Sequence, residues 1–193
     1  MSCCDENVVK LPAPTFDEKL KLSEAIVQRR SVRKYDGHEL SLQEIANLCY
    51  FSAGITDKDR GLKANPTACN AQEIQLYVVR ECCACLYVPE EHALHVIERG
   101  DFRAEMGGQP FVKDASVNFV YVRSNEKFDH FPFPEGKAKY EITDSAIMAT
   151  LTCLYAESIG LHSVIRGLID PELIAKRLHL PEKDLAILSV SVG

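Results

Sequence analysis

Three short runs rich in β-branched and aromatic residues constrain this chain most: EIQLYVV at 73–79, SVNFVYV at 116–122 and AILSVSV at 186–192. Each reads as a strand, because such side chains pack well on a pleated surface. CLYV at 85–88 can pair with the first as a hairpin. Between the second and third lies the longest helical pattern, residues 143–159, with an apolar stripe of Ile147, Leu151, Leu154 and Tyr155 and a stop at Gly160. Strands and helices are mixed without strict β-α-β alternation, which places the chain in the α+β class.

Other elements follow from local signals. A helix is expected over residues 17–30, with Leu20, Ile26 and Val27 inward. SLQE at 41–44 is a capping box, opening a helix that carries Leu42, Ile45 and Leu48 and stops at Gly54. Pro89 suits the first turn of a helix that Gly100 closes. Residues 125–140 read as a surface loop with aromatic tips at Phe128, Phe131 and Phe133. HSVIRG is a short extended piece, and Asp170-Pro171 caps a helix running to Leu178. Residues 1–15, with Pro12 and Pro14, read as an irregular N-terminal arm, and residues 16–193 as a single domain.

A length of 193 residues allows one domain with a real core. The net charge of −6 argues against nucleic acid as a partner, since phosphate backbones are gripped by broad basic surfaces. No run of 18 apolar residues and no signal peptide is present, so no membrane partner is expected and a cytoplasmic location is. The eight cysteines (Cys3, Cys4, Cys49, Cys69, Cys82, Cys83, Cys85 and Cys153) are scattered, and free thiols are expected.

Within this acidic background, VQRRSVRKY gathers Arg29, Arg30, Arg33 and Lys34. Arg29 and Arg30 can close a helix and complement its dipole, but that leaves Arg33 and Ser31 over. Converging guanidinium groups with a serine hydroxyl suit a phosphate. A second stretch, NPTACNAQ at 65–72, is a polar turn before a strand, able to offer backbone and amide groups to a ligand. A third, GLHSVIRGLIDPE at 160–172, follows the long helix, with Gly167 allowing close backbone approach to a flat ligand.

RRSVRKY, P-T-A-C-N-A-Q, A-E-S-I-G-L-H-S-V and the Gly–Asp-Pro-Glu–Leu-Pro tail, in that order from about residue 22 to the end, resemble the nitroreductase-like flavoprotein family. The segment from Gln75 to Asp101 is similar to the branch that includes azoline-forming dehydrogenases. The resemblance implies a mostly antiparallel central sheet flanked by helices, an intertwined homodimer and FMN at its interface. Arg29, Arg30, Ser31 and Arg33 would then hold the phosphate and ribityl chain. Pro66, Thr67, Ala68, Cys69, Asn70 and Gln72 would reach the flavin across the dimer. Val164, Ile165, Arg166 and Gly167 would lie against the ring, with the Arg166 backbone N–H on flavin N5. The implied activity is ping-pong hydride transfer from NADH or NADPH to a flat electron-poor acceptor such as a nitroaromatic or quinone. No side-chain catalyst is implied, and the aromatic loop would shape the acceptor pocket.

The chain departs from the family pattern at three places. Cys69 replaces a small or hydroxylated residue, Glu73 stands where many relatives have proline, and the pattern continues past Gly193 into a basic phosphate contact that the sequence as given lacks. Two rival readings stand beside the enzyme. One is a small zinc module using Cys82, Cys85, His92 and His95, although the Cys-to-His gap is short for a zinc finger. The other is a flavin-binding protein without turnover.

Overall fold

The computed structural model describes residues 6–129 and 131–193, so the expectations for Cys3 and Cys4 fall outside the described residues. In chain order the elements are β1 (Val8–Lys10), α1 (Leu22–Gln28), α2 (Leu42–Ala53), β2 (Ile55–Asp57), β3 (Leu62–Lys63), β4 (Ile74–Val79), β5 (Cys83–Val88), β6 (Ala93–Arg99), β7 (Val117–Arg123), α3 (Asn125–Phe128), α4 (Lys137–Ser158), β8 (Ser163–Arg166), α5 (Pro171–Arg177) and β9 (Leu185–Val192). Seven strands form one sheet in the order β1-β6-β5-β4-β7-β9-β8, with every neighbouring pair antiparallel. β2 and β3 form a separate ribbon. The α+β class is as the order of elements implies, and the antiparallel sheet flanked by helices is as the resemblance implies.

The alternation of the strands divides the core in two. Leu76, Val78, Phe119, Tyr121, Val190 and Val192 meet α2 and α4 on one face. Tyr77, Val79, Val120, Val122 and Ala186 meet Ile174 and Leu178, from α5 and its C-cap, together with Met106 and Val112 on the other. α2 begins at the Ser41 capping box, where Ser41 accepts from the Glu44 N–H and Glu44 accepts from the Ser41 N–H. α4 closes with Gly160 at φ +86, a conformation that glycine adopts without Cβ strain.

Five expectations need correction. Residues 89–100 are not a helix. Pro89–His92 is a turn, and Ala93–Arg99 is strand β6, paired with β5 on one side and β1 on the other. Pro89 and Gly100 punctuate a hairpin as well as a helix, and a Val-Ile pair favours the strand. The arm is not wholly irregular, since Val8–Lys10 extends the sheet and Val9 and Leu11 join the core. α1 is shorter than expected and buries Ala25, while Ile26 and Val27 are 55% and 70% exposed. The aromatic loop is partly helical, and α4 starts six residues early at Lys137. Phe128 and Phe131 are buried, their rings tilted against each other at 4.8 Å between centroids with Tyr140 beside Phe131, leaving Phe133 as the exposed tip. Cys49, Cys69 and Cys153 are free thiols, but Cys82 is engaged in a disulfide. No described helix is long and apolar enough to cross a membrane.

Candidate functional site

The basic knot lies across the start of the edge strand β8. Ser31 forms a parallel bridge to Ser163, and the Val32 N–H donates to the Ser163 carbonyl at 3.1 Å. The four charges then divide. Arg30 turns back and donates from Nη1 to the carbonyls of Val27, Gln28 and Arg29, capping the end of α1. The helix-closing role is therefore Arg30's. Arg33 makes one long bond, 3.3 Å to the Ser31 carbonyl, and is exposed. Arg29 is half-buried near Cys153, where its charge opposes the effect of burial on that thiol, and its side chain donates no hydrogen bond among the described residues. Ser31 is exposed beside them. The side chains of Arg29 and Ser31, and all but one donor of Arg33, thus make no bond among the described residues.

β8 is the last strand of its sheet, so one of its edges is open beyond the Ser31 bridge. His162 and Gly193 exchange both backbone bonds, at 2.9 and 3.1 Å. Bonded pairs alternate along an antiparallel ladder, so they recur at Val164–Ser191 and Arg166–Ser189. This corrects the role expected for Arg166. Its N–H points into the sheet toward Ser189, and the open edge receives the backbone groups of Ile165 and, by the same alternation, Gly167. Ile165 also projects an exposed side chain, whereas Val164 is buried.

The Arg166 side chain is buried behind the strand. Nη1 donates to the Met106 carbonyl and Nη2 to Asn118 Oδ1, both at 2.9 Å, while Nε has no partner among the described residues. Ser189 Oγ donates to the same Met106 carbonyl and Ser191 Oγ to the same Asn118 oxygen. Burial pulls the Arg166 pKa down to about 10. Tyr35, at the end of the knot, is pushed by burial up to about 12 and remains a neutral phenol. No described carboxylate lies within ion-pair distance of Arg166, so a buried positive charge stands uncompensated one strand-width from the open edge.

The loop of residues 66–72 is strained. Cys69, Asn70 and Gln72 all have φ near +50, a region costly for residues with a Cβ and concentrated at functional sites. The Ala68 N–H donates to Asp144 Oδ2 at 2.8 Å, the Gln72 N–H to Thr67 Oγ1 at 3.0 Å, and Gln72 Nε2 to the Gly61 carbonyl at 2.8 Å. Pro66, Cys69 and Asn70 are exposed. Asp144 was not legible as part of this site, because it sits 76 residues downstream, inside a helix.

The knot and β8 are brought together, and the loop is not. In the sheet, Arg166 aligns with Ser189, Val120 and Tyr77 across three interstrand steps, and Gln72 lies five residues before Tyr77. With spacings of about 4.8 Å and 3.3 Å, the two parts of one chain are about 20 Å apart. The four zinc candidates are not assembled either. Cys85 lies inside β5 opposite Val96, the His92 ring bonds the Tyr87 hydroxyl and the Pro12 carbonyl, and His95 Nε2 sits 3.3 Å from Glu91. Among the described residues no three His, Cys, Asp or Glu side chains are placed to hold a metal ion.

Residues 26–193 match the model of the nitroreductase family. A Methanocaldococcus jannaschii protein assigned as a nitroreductase, MJ1384, is 27% identical over 183 residues, covering 90% of this chain and 91% of its own. The crystal structure of a protein assigned as a nitroreductase from Ralstonia eutropha JMP134 superposes with a TM-score of 0.91 at 28% identity, over 97% of this chain and 89% of that one. One from Staphylococcus epidermidis, described as an NAD(P)H:FMN oxidoreductase, shares the fold at a TM-score of 0.67 and 14% identity, over 95% and 90% of the two chains. The antiparallel sheet, the basic knot fused to its edge strand and the match across most of the sequence agree: the chain belongs to the nitroreductase family of oxidoreductases.

Proposed function

We propose that this protein is an FMN-dependent oxidoreductase that takes hydride from NADH or NADPH and delivers it to a flat electron-poor acceptor, such as a nitroaromatic or a quinone. The observation that carries the proposal is the bridge between Ser31 and Ser163. It sets two cations, Arg29 and Arg33, at one end of an open strand edge. From Ser163 to Gly167 that edge advances about 13 Å, enough to hold a phosphate and a tricyclic ring at opposite ends of a five-carbon chain. The residues present fit the cofactor: a half-buried and an exposed guanidinium with a serine hydroxyl for the phosphate, and backbone donors at Ile165 and Gly167 for the ring edge.

When bound, FMN supplies the two-electron chemistry and the protein supplies orientation and electrostatics. Arg29 and Arg33 hold the anionic tail with charge-assisted bonds. The uncompensated charge of Arg166 stabilises negative charge that develops beside β8, and its burial keeps that field unscreened. Pro66, Thr67, Ala68, Cys69, Asn70 and Gln72 are about 20 Å from β8 of their own chain, so we assign them to the site of a second copy. The surface for that copy is apolar. Leu22, Ile26 and Val27 of α1 are exposed, beside a groove of about 370 Å³ lined by Leu20, Ala25, Phe51, Leu151 and Leu154. A homodimer covers this face and completes the site.

The division of labour among the arginines supplies the test. Arg29→Ala and Arg33→Ala should each weaken FMN binding by about 1–3 kcal/mol, the cost of a charged partner removed. Arg30→Ala should lower thermal stability and leave flavin affinity within about threefold, because its bonds close α1. Flavin fluorescence titration reads the affinities, and NADH or NADPH oxidation with a panel of acceptors reads the turnover. An Arg29/Arg33 double variant that binds FMN as tightly as the parent protein refutes the clamp.

A further inference from the structure

Beneath the 66–72 loop two buried carboxyls face one another. Glu73, immediately before β4, is wholly buried, and neither of its oxygens has a donor among the described residues. The Asp144 carboxyl of α4, 3% exposed, lies within hydrogen-bonding reach of it and accepts from the Ala68 N–H. The other groups acting on Glu73 are its own backbone N–H and Lys63 of β3. Lys63 is a weak counterion, because burial and the charge of Lys127 on α3 pull it down to about 8 against the opposing pull of Glu90. Two carboxylates are acceptors only, so they meet in a buried site when one of them carries a proton.

We propose that Glu73 and Asp144 share one proton and that this proton positions the 66–72 loop, by keeping an Asp144 oxygen aimed at the Ala68 N–H. Glu73 and Asp144 are positioning residues, since neither touches the reacting atoms. The loop depends on them because three of its residues sit in the left-handed region and its exposed tip has few other anchors. Burial first, and then the Asp144 charge, push the Glu73 carboxyl up to about 7. The folded chain therefore holds more protons than the unfolded chain between the ordinary carboxyl range and neutrality. Stability from this pair is complete below that ordinary range and is lost as pH rises through about 7. Loss of the proton sets two buried charges against each other and frees the Ala68 N–H. The proposal rests on the flavin reading only in taking this loop to face the cofactor, and the measurement is made without flavin.

Hydrogen exchange of the peptide spanning residues 65–73, followed by mass spectrometry from pH 5 to 8.5 and corrected for intrinsic rates, tests it. The parent protein should lose protection by up to about tenfold per pH unit as pH rises from the ordinary carboxyl range to about 7, and level off above it. Glu73→Gln, whose amide donates to Asp144 at any pH, should keep protection constant. If Glu73→Gln does not fold, Asp144→Asn places the permanent donor on the other partner and should behave alike. A flat profile in the parent protein, or an equal loss in the amide variants, overturns the shared proton. FMN affinity at pH 6 separates the two readings: tight binding with a pH-independent loop sinks the proton alone, and absent binding with a pH-dependent loop sinks the flavin site alone.

Discussion

Gly107→Ala is the most exacting test of how the edge strand is supported. A Cβ at Gly107 would stand 1.7 Å from Arg166 Nη1 and 2.9 Å from its Cζ, so the guanidinium must leave its place. It has nowhere comparable to go, being 3% exposed and bonded to the Met106 carbonyl and Asn118 Oδ1. Each charged bond contributes about 1.5–3 kcal/mol. The two acceptors are not orphaned when Arg166 departs, because Ser189 and Ser191 still donate to them. The cost therefore falls toward the low end of the sum, about 2–4 kcal/mol. At roughly 2–4 °C per kcal/mol for a chain of this size, Tm should fall by about 4–16 °C.

The mechanism is read from a double-mutant cycle followed by thermal unfolding. In an Arg166→Ala background the space is vacant, and the new methyl meets only Val112 Cγ2, at 3.2 Å. Gly107→Ala should then cost less than about 1 kcal/mol, giving a coupling of at least about 1 kcal/mol between the two positions. Additivity within about 0.5 kcal/mol would show that Gly107 is not reserved for the guanidinium, and the account of Arg166 as a packed, fixed charge would fail.

Two further outcomes are expected. Asp170 caps α5 by accepting from the Glu172 and Leu173 N–H groups at 3.1 and 3.0 Å, so Asp170→Ala should cost about 0.5–2 kcal/mol in thermal unfolding and Asp170→Asn should restore most of it; an unchanged Tm in the alanine variant contradicts the cap. Cys69 is exposed, whereas burial raises the thiol pKa of Cys49 and Cys153, so iodoacetamide should alkylate Cys69 well before those two. Saturating FMN should slow that reaction; an equal rate with and without FMN removes the loop from the flavin site.

Elements with an unambiguous period were legible in the sequence. β4, β7 and β9 are rich in β-branched and aromatic residues, α2 carries its capping box, and α5 carries Asp-Pro at its start. β6 was not legible, because its identity is decided by neighbours: β5 and β1 claim both its edges, and Pro89 and Gly100 mark a turn as readily as a cap. The inward side of α1 was misread for a related reason. α1 packs on α4 and Ala25 is its buried residue, so the larger apolar residues lie outside. The knot was legible because it is contiguous. The Glu73–Asp144 pair and the Asn118–Ser189–Ser191 set behind Arg166 were not, since each joins residues from separate elements.

A net charge of −6 and the proposed anion site near the front of the chain are compatible because the two act over different distances. At physiological ionic strength the screening length is about 8 Å, so acidic groups elsewhere on the surface scarcely oppose a phosphate at the knot. What matters is which donors stand free within contact. The sequence offers Arg29, Arg30 and Arg33 as equals, and the fold spends Arg30 on the carbonyls of α1, leaving the other two. Arg166 escapes screening by the opposite route, being buried where water and salt do not reach, and the neutral Tyr35 beside it leaves its charge uncancelled. An acidic chain thus keeps two kinds of positive charge at one strand, exposed charge that an anion can touch and enclosed charge that acts through the strand itself.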